Sequence, residues 1–258
     1  LKQAVAANML FALLLCTIMG VGYFFLDHMG QPAEIMPLVR SYYLVVLVSM
    51  IFVALFNCLR QFTDGITETK TAMWALLTGN ALNIVGNYLL IYGVGPFPEL
   101  GLLGAGLSTL FSRIVMALIL LGVLLMRQRY AVYRQGVSET PLRWSGLWHI
   151  NSQSLPISLQ MGMESGAFTF TAIMAGWIGA VDLATFQVMV TIGTLGFLFY
   201  YSFGAGLSIR VATFYGLHDW EHVRLSTRAG CHILLGMAAC SSLIFLLFGE
   251  FLIRVFTS

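Results

Sequence analysis

Seven long stretches of this 258-residue chain are almost free of charge, and that property excludes most folds before any motif is considered. They cover residues 4–26, 41–59, 71–92, 103–126, 155–178, 185–209 and 231–253. A helix rising 1.5 Å per residue needs about 20 apolar residues to cross a hydrocarbon core of roughly 30 Å. Backbone polar groups in lipid must be satisfied within the segment itself, which favours helices at this length. Charged residues make up 9% of the chain, where a soluble domain carries about 25%. The expected fold class is an all-α integral membrane protein with about seven transmembrane helices, and its first partner is the lipid bilayer.

The net charge of +2 decides little, but its distribution is informative, because Lys and Arg near span ends favour the cytoplasmic side. Lys2, Arg60, Lys70, Arg127, Arg129, Arg134, Arg143, Arg210, Arg224 and Arg228 fall on alternate connections. Arg40 and Arg254 fall on the others, and Arg113 lies within a span. The amino end is therefore expected on the cytoplasmic side of a multi-pass plasma membrane, the bacterial inner membrane. The chain starts at Leu1, and its first apolar run is longer than a signal-peptide core, so that run is read as a true span. Cys16, Cys58, Cys231 and Cys240 lie in or beside spans without a Cys-x-x-Cys pair, and read as small core residues.

Short connections, rich in Gly and Pro at residues 93–101 and opened by Gly179 at residues 179–182, make neighbouring antiparallel helices. The longest connection, residues 127–154, is rich in Arg and Trp and holds Pro141, with Pro156 just beyond it. It divides the chain into residues 1–144, four spans of a first helix lobe with the start of a linker, and residues 145–258, three spans of a second lobe. Gly-Ala-Gly-Leu-Ser occurs twice, at residues 104–108 and 204–208, at opposite membrane faces, which points to coincidence rather than a repeat.

The chemistry concentrates in the fifth span. Glu164 is an ionisable carboxylate in mid-span, where a charge costs at least about 2.5–3.5 kcal/mol and usually serves ions, protons or substrate; the alternative is a neutral, hydrogen-bonded structural acid. Gln160, Glu164 and Thr171 share one stripe at i, i+4 and i+11. Gly162 and Gly166 form a GxxxG pair pointing away from Glu164, either a packing face or a chance occurrence. A desolvated carboxylate holds a proton more tightly, and a nearby cation reverses that, so such a group can exchange a proton or Na⁺ against a cationic substrate.

A second polar stripe, Asn80, Asn83 and Asn87, runs down the third span. Three amides in a membrane helix need partners, and these either ligate a cation through carbonyl oxygens or bond neighbouring helices. Gln187, Thr191, Thr194 and Tyr201 give the sixth span a moderately polar face, although Thr hydroxyls are routinely satisfied by helix carbonyls. Arg113 snorkels or pairs, while His232 and Glu250 read as interfacial. No His-Glu-x-x-His, Gly-x-Ser-x-Gly or intramembrane Asp pair is present, so an enzyme is not expected. No cofactor and no nucleic-acid partner are expected either.

The segment GNALNIVGNYLLIYGVGPFPELGLLGAGLSTLFSR (79–113) resembles the multidrug and toxic compound extrusion (MATE) family: its asparagine-bearing helix, its Gly-Phe-Pro-x-Leu-Gly-like turn and the Gly-Ala-rich helix that follows. LRQFTDG (59–65), LPISLQMGMESGAF (155–168) and SFGAGLSIRVATFYG (202–216) add to the likeness. The resemblance implies a two-lobed fold of twelve helices, of which this chain is similar to helices three to nine, and so a fragment. It also implies antiport, with Na⁺ or H⁺ entry driving out amphipathic or cationic drugs by alternating access, in a protein that is monomeric at full length. Glu164 matches the acid that the NorM-like branch uses in the first helix of its second lobe, with Na⁺ as its candidate ligand. Asn83 and Asn87 match amides near a cation site of the first lobe, whose acidic partners lie on helices outside this chain. Gln160, Thr171, Gln187, Thr191, Asn80 and Tyr201 are the expected cavity residues. Two alternatives remain open: a lipid-linked oligosaccharide flippase of the same superfamily, which calls for a more cationic cavity, and an inactive transporter fragment.

Overall fold

A computed structural model describes residues 1–26, 36–139 and 141–257, and among them there are helices and no strand. In chain order these are α1 (Lys2–Tyr23), α2 (Met36–Gly65), α3 (Thr69–Tyr92), α4 (Gly101–Met126), a 3₁₀ turn (Gln128–Tyr130), α5 (Ala131–Glu139), α6 (Trp144–Ile178), α7 (Ala180–Gly216) and α8 (Trp220–Thr257). Six helices are long and apolar enough to cross a membrane: α1 to α4, most of α7, and α8 as far as Gly249. The remaining long helix, α6, has 35 residues and so the length to cross. Its mean hydropathy is lowered by Gln153, Gln160, Glu164 and several serines. The side chains of Glu250 and Arg254 lie outside the described residues.

The helices group into two compact units, Leu1–Gln153 and Ser154–Ser258, with the division falling inside α6. In the first unit α1 packs on α2, α2 on α4, and α4 on α3, which places α4 between α2 and α3. Phe56, Leu59, Met116, Leu120, Leu124 and Tyr130 form its buried centre. Small residues set the spacing of α3 and α4, as expected where lipid supplies no hydrophobic drive. A Cβ on Gly79 would overlap the Met116 side chain, one on Gly104 would overlap the Leu90 carbonyl, and one on Gly86 would stand 2.5 Å from Ser108 Oγ. The tight α3–α4 turn begins with Gly93 in the left-handed region (φ 64°), where a Cβ would also lie 2.7 Å from the Glu99 nitrogen. Gly is the residue that meets both demands.

The second unit is built on the α7–α8 hairpin. Gly230 of α8 faces Leu207 of α7 with no room for a Cβ, and Tyr200 Oη donates to the Met237 carbonyl at 3.3 Å. Asp219 caps α8, accepting the His222 backbone N–H at 3.1 Å and pairing with its ring at 2.7 Å. The two Gly-Ala-Gly-Leu-Ser copies differ in setting: Gly104 and Gly106 are buried, whereas nothing stands near Gly204 or Gly206.

One expectation needs correction. The connection over residues 127–154 is mostly helical, comprising the 3₁₀ turn, α5 and the start of α6. Its apolar residues recur at one-turn spacing, as in Tyr130, Tyr133 and Val137, and that suffices for a short amphipathic helix. Pro156 interrupts nothing, lying inside α6, as a membrane helix tolerates when neighbouring groups take up the freed carbonyl. The GxxxG pair packs on nothing among the described residues, since no atom stands within 4 Å of a Cβ at Gly162 or Gly166.

Candidate functional site

The α3–α4 seam gathers a connected set of polar side chains. Asn83 and Asn87 lie one turn apart on the half-buried side of α3, and the close approach permitted by Gly86 and Gly104 brings Ser108 and Thr109 of α4 against them. Asn83 Nδ2 donates to Thr109 Oγ1 at 3.3 Å and to Ser108 Oγ at 3.5 Å. Ser108 Oγ in turn donates to the Asn83 carbonyl at 2.9 Å. Asn87 Nδ2 donates to Asn83 Oδ1 at 3.3 Å, which fixes both amides in one orientation. Asn87 Oδ1 is left buried without a hydrogen-bond partner.

That orphan acceptor is informative because buried polar atoms are nearly always satisfied. An amide oxygen can ligate a hard cation or accept a proton from a donor, but being uncharged it cannot itself exchange a proton near neutral pH. One to two turns further along α4, Arg113 Nη1 donates to Ser49 Oγ of α2. Ser49 is fully buried, and its hydroxyl in turn donates a hydrogen bond to the Val46 carbonyl at 2.6 Å. The intramembrane guanidinium is thus held by a hydroxyl rather than left to snorkel.

Asn80 is exposed and stands apart from this network. The second unit carries the other expected residues, and all of them are exposed: Gln160, Glu164, Thr171, Gln187, Thr191 and Tyr201. Glu164 has no hydrogen-bond or ion-pair partner among the described residues. Residues 151–171 of α6 are exposed throughout, the stripe of Gln160, Glu164 and Thr171 among them. The hydroxyls of Thr171, Thr191 and Thr194 each donate to the carbonyl four residues earlier, at 2.8, 2.8 and 2.7 Å. Tyr201 stacks on Phe197 with ring centroids 5.7 Å apart. Among the described residues no group of three His, Cys, Asp or Glu side chains converges as a metal site would require.

Sequence reasoning found the two amides but missed Ser108, Thr109 and Ser49. A signal for the first existed in the Gly-Ala-Gly-Leu-Ser run, whose small residues draw α4 onto α3 and deliver Ser108 at the point of contact.

Comparison with known proteins agrees with this architecture. The MatE family profile matches residues 1–89 and 156–258. The chain is 26% identical over 235 residues to a probable multidrug resistance protein NorM of Geobacillus kaustophilus, covering 91% of this chain and 52% of that protein. It is 30% identical over 206 residues to the multidrug resistance protein NorM of Vibrio cholerae, covering 79% and 44%. The outward-facing structure of a multidrug resistance MATE family transporter superposes with a TM-score of 0.77 at 22% identity, over 99% of this chain and 57% of that one. The chain spans about half the length of the relatives it matches.

Proposed function

The chain belongs to the MatE family, whose members are transporters rather than enzymes, and from that premise we propose that it forms part of a secondary active transporter exporting amphipathic or cationic compounds. Export runs by antiport against Na⁺ or H⁺, through alternating access, in a bacterial inner membrane with the amino end cytoplasmic. The protein acts as a monomer when complete.

The observation that carries the reading is Glu164. It lies in α6, 14 residues before the helix ends at Ile178, or about 21 Å along the axis; with Ile178 taken as the edge of the bilayer, that is well inside a core of roughly 30 Å. A carboxylate at such depth is costly unless it serves a cation. In the proposed cycle Glu164 alternately holds the coupling cation and yields it as a cationic substrate arrives. Gln160 and Thr171 extend its stripe along α6, and Gln187, Thr191 and Tyr201 supply polar and aromatic wall on α7. Asn83 and Asn87 contribute neutral amide oxygens to a separate cation position in the first lobe, with Asn80 at its margin. Ser108 and Thr109 hold those amides in place.

The reading is tested by efflux of a fluorescent cationic dye from cells expressing the complete reading frame. Glu164→Gln removes the charge and keeps the shape, so gradient-driven efflux should fall to that of empty cells while the protein level is unchanged. Undiminished efflux in that variant would remove Glu164 from the mechanism.

A further inference from the structure

The first turns of α6, as far as Gln153, belong to the first unit, and the transport reading gives them no part. Gly146 fixes their depth. A Cβ there would overlap the Gln3 side chain at the start of α1, and Leu147 beside it is buried. With 22 residues, α1 is long and apolar enough to cross a membrane, and its length of about 33 Å matches a hydrocarbon core of roughly 30 Å. Gln3 therefore marks one edge of the core, and Gly146 stands level with it.

Two indoles sit at that level. Trp144 and Trp148 lie on either side of Gly146 in sequence, each about 3 Å from it along the axis, and they are 78% and 67% exposed. They stand one turn apart on one face, each about 160° round the helix from Gly146, and so face away from the Gln3 contact. Further round, Ser145, His149 and Ser152 are exposed. The pair thus occupies the border between the packed side of the helix and its polar side. An indole combines an apolar body with one N–H to satisfy, and neither N–H has a partner among the described residues. At the edge of the core the headgroup layer meets both needs, which is why Trp concentrates there.

We propose that Trp144 and Trp148 form a membrane anchor, an interaction surface for the headgroup layer of the leaflet at the end where α1 begins. The anchor ties the connection between α4 and α6 to the bilayer surface. Its partner is the lipid interface whatever the headgroup charge, because recognition rests on indole rings and not on cations.

The test uses the intact protein in phosphatidylcholine vesicles, a readout independent of transport. The tryptophan emission lost between the wild type and the double variant carrying Trp144→Phe and Trp148→Phe isolates these two indoles, whatever other tryptophans the protein has. Phosphatidylcholine brominated high on its acyl chains, next to the headgroup, should remove most of that difference emission. Bromines near the chain ends, and iodide present on both sides of the membrane, should each remove little of it. Should the double variant not fold, the two single variants give the same difference for one indole at a time. Strong quenching by iodide with none from either lipid would place the indoles in water. Quenching by none of the three would mean that protein covers them, and stronger quenching by the deep bromines would place them in the core. Each of these outcomes would overturn the proposal.

Discussion

Ser49 contributes a single hydroxyl, yet it is the partner the structure gives to the intramembrane guanidinium of Arg113. Ser49→Ala removes the acceptor of the Arg113 Nη1 hydrogen bond, and a lost hydrogen bond to a charged or buried group costs about 1–3 kcal/mol. Thermal unfolding of the detergent-purified protein should therefore show a lowered midpoint, and an unchanged midpoint would mean that water replaces the hydroxyl. Thr109 plays the analogous part for Asn83. Both amides were legible in the sequence, because helical spacing alone puts Asn83 and Asn87 on one side of α3. Their partners were not, since which α4 residue meets Asn83 depends on how far the two helices slide along each other.

At the level of elements, close approach of α3 and α4 rests on Gly104, whose Cβ would meet the Leu90 backbone, and on Gly79 and Gly86, whose Cβ would meet the Met116 and Ser108 side chains. Gly104→Val places branched carbon against the Leu90 carbonyl, and overpacking of this kind costs about 1–3 kcal/mol. Gly162→Ala serves as the control, because nothing stands near that position, and it should not lower the unfolding midpoint. The start of α8 carries a pH prediction. The backbone and ring of His222 hold the Asp219 carboxyl below its ordinary value. A carboxyl depressed in the folded state stabilises above its unfolded pKa of about 3.9, and that stabilisation is lost as pH falls through the lower folded value. Amide protection in the first turn of α8 should weaken on acidification into that range, and Asp219→Asn should show the weaker protection at neutral pH. Apolar length made the spanning helices readable. It said nothing of α5, because a nine-residue amphipathic helix is too short to stand out from a polar connection.

For the molecule as a whole, each unit has its own packing, and the chain spans about half the length of its relatives. The family and the all-helical membrane fold follow from the sequence and the comparisons, while the exporting cycle is what we propose for the complete protein. Its orientation is testable without transport. Single cysteines placed at Lys2 and at Pro96 should react with a membrane-impermeant maleimide from opposite sides, the former only after the membrane is opened. The central claim, that Glu164 couples cation entry to substrate exit, is tested most directly in proteoliposomes of the complete protein. Addition of a cationic dye should drive a counterflow of Na⁺ or H⁺, read with an ion-sensitive fluorophore, that is present in the wild type and absent in Glu164→Gln. Dye movement that proceeds equally with both ion gradients collapsed, or a counterflow that survives Glu164→Gln, would contradict the account.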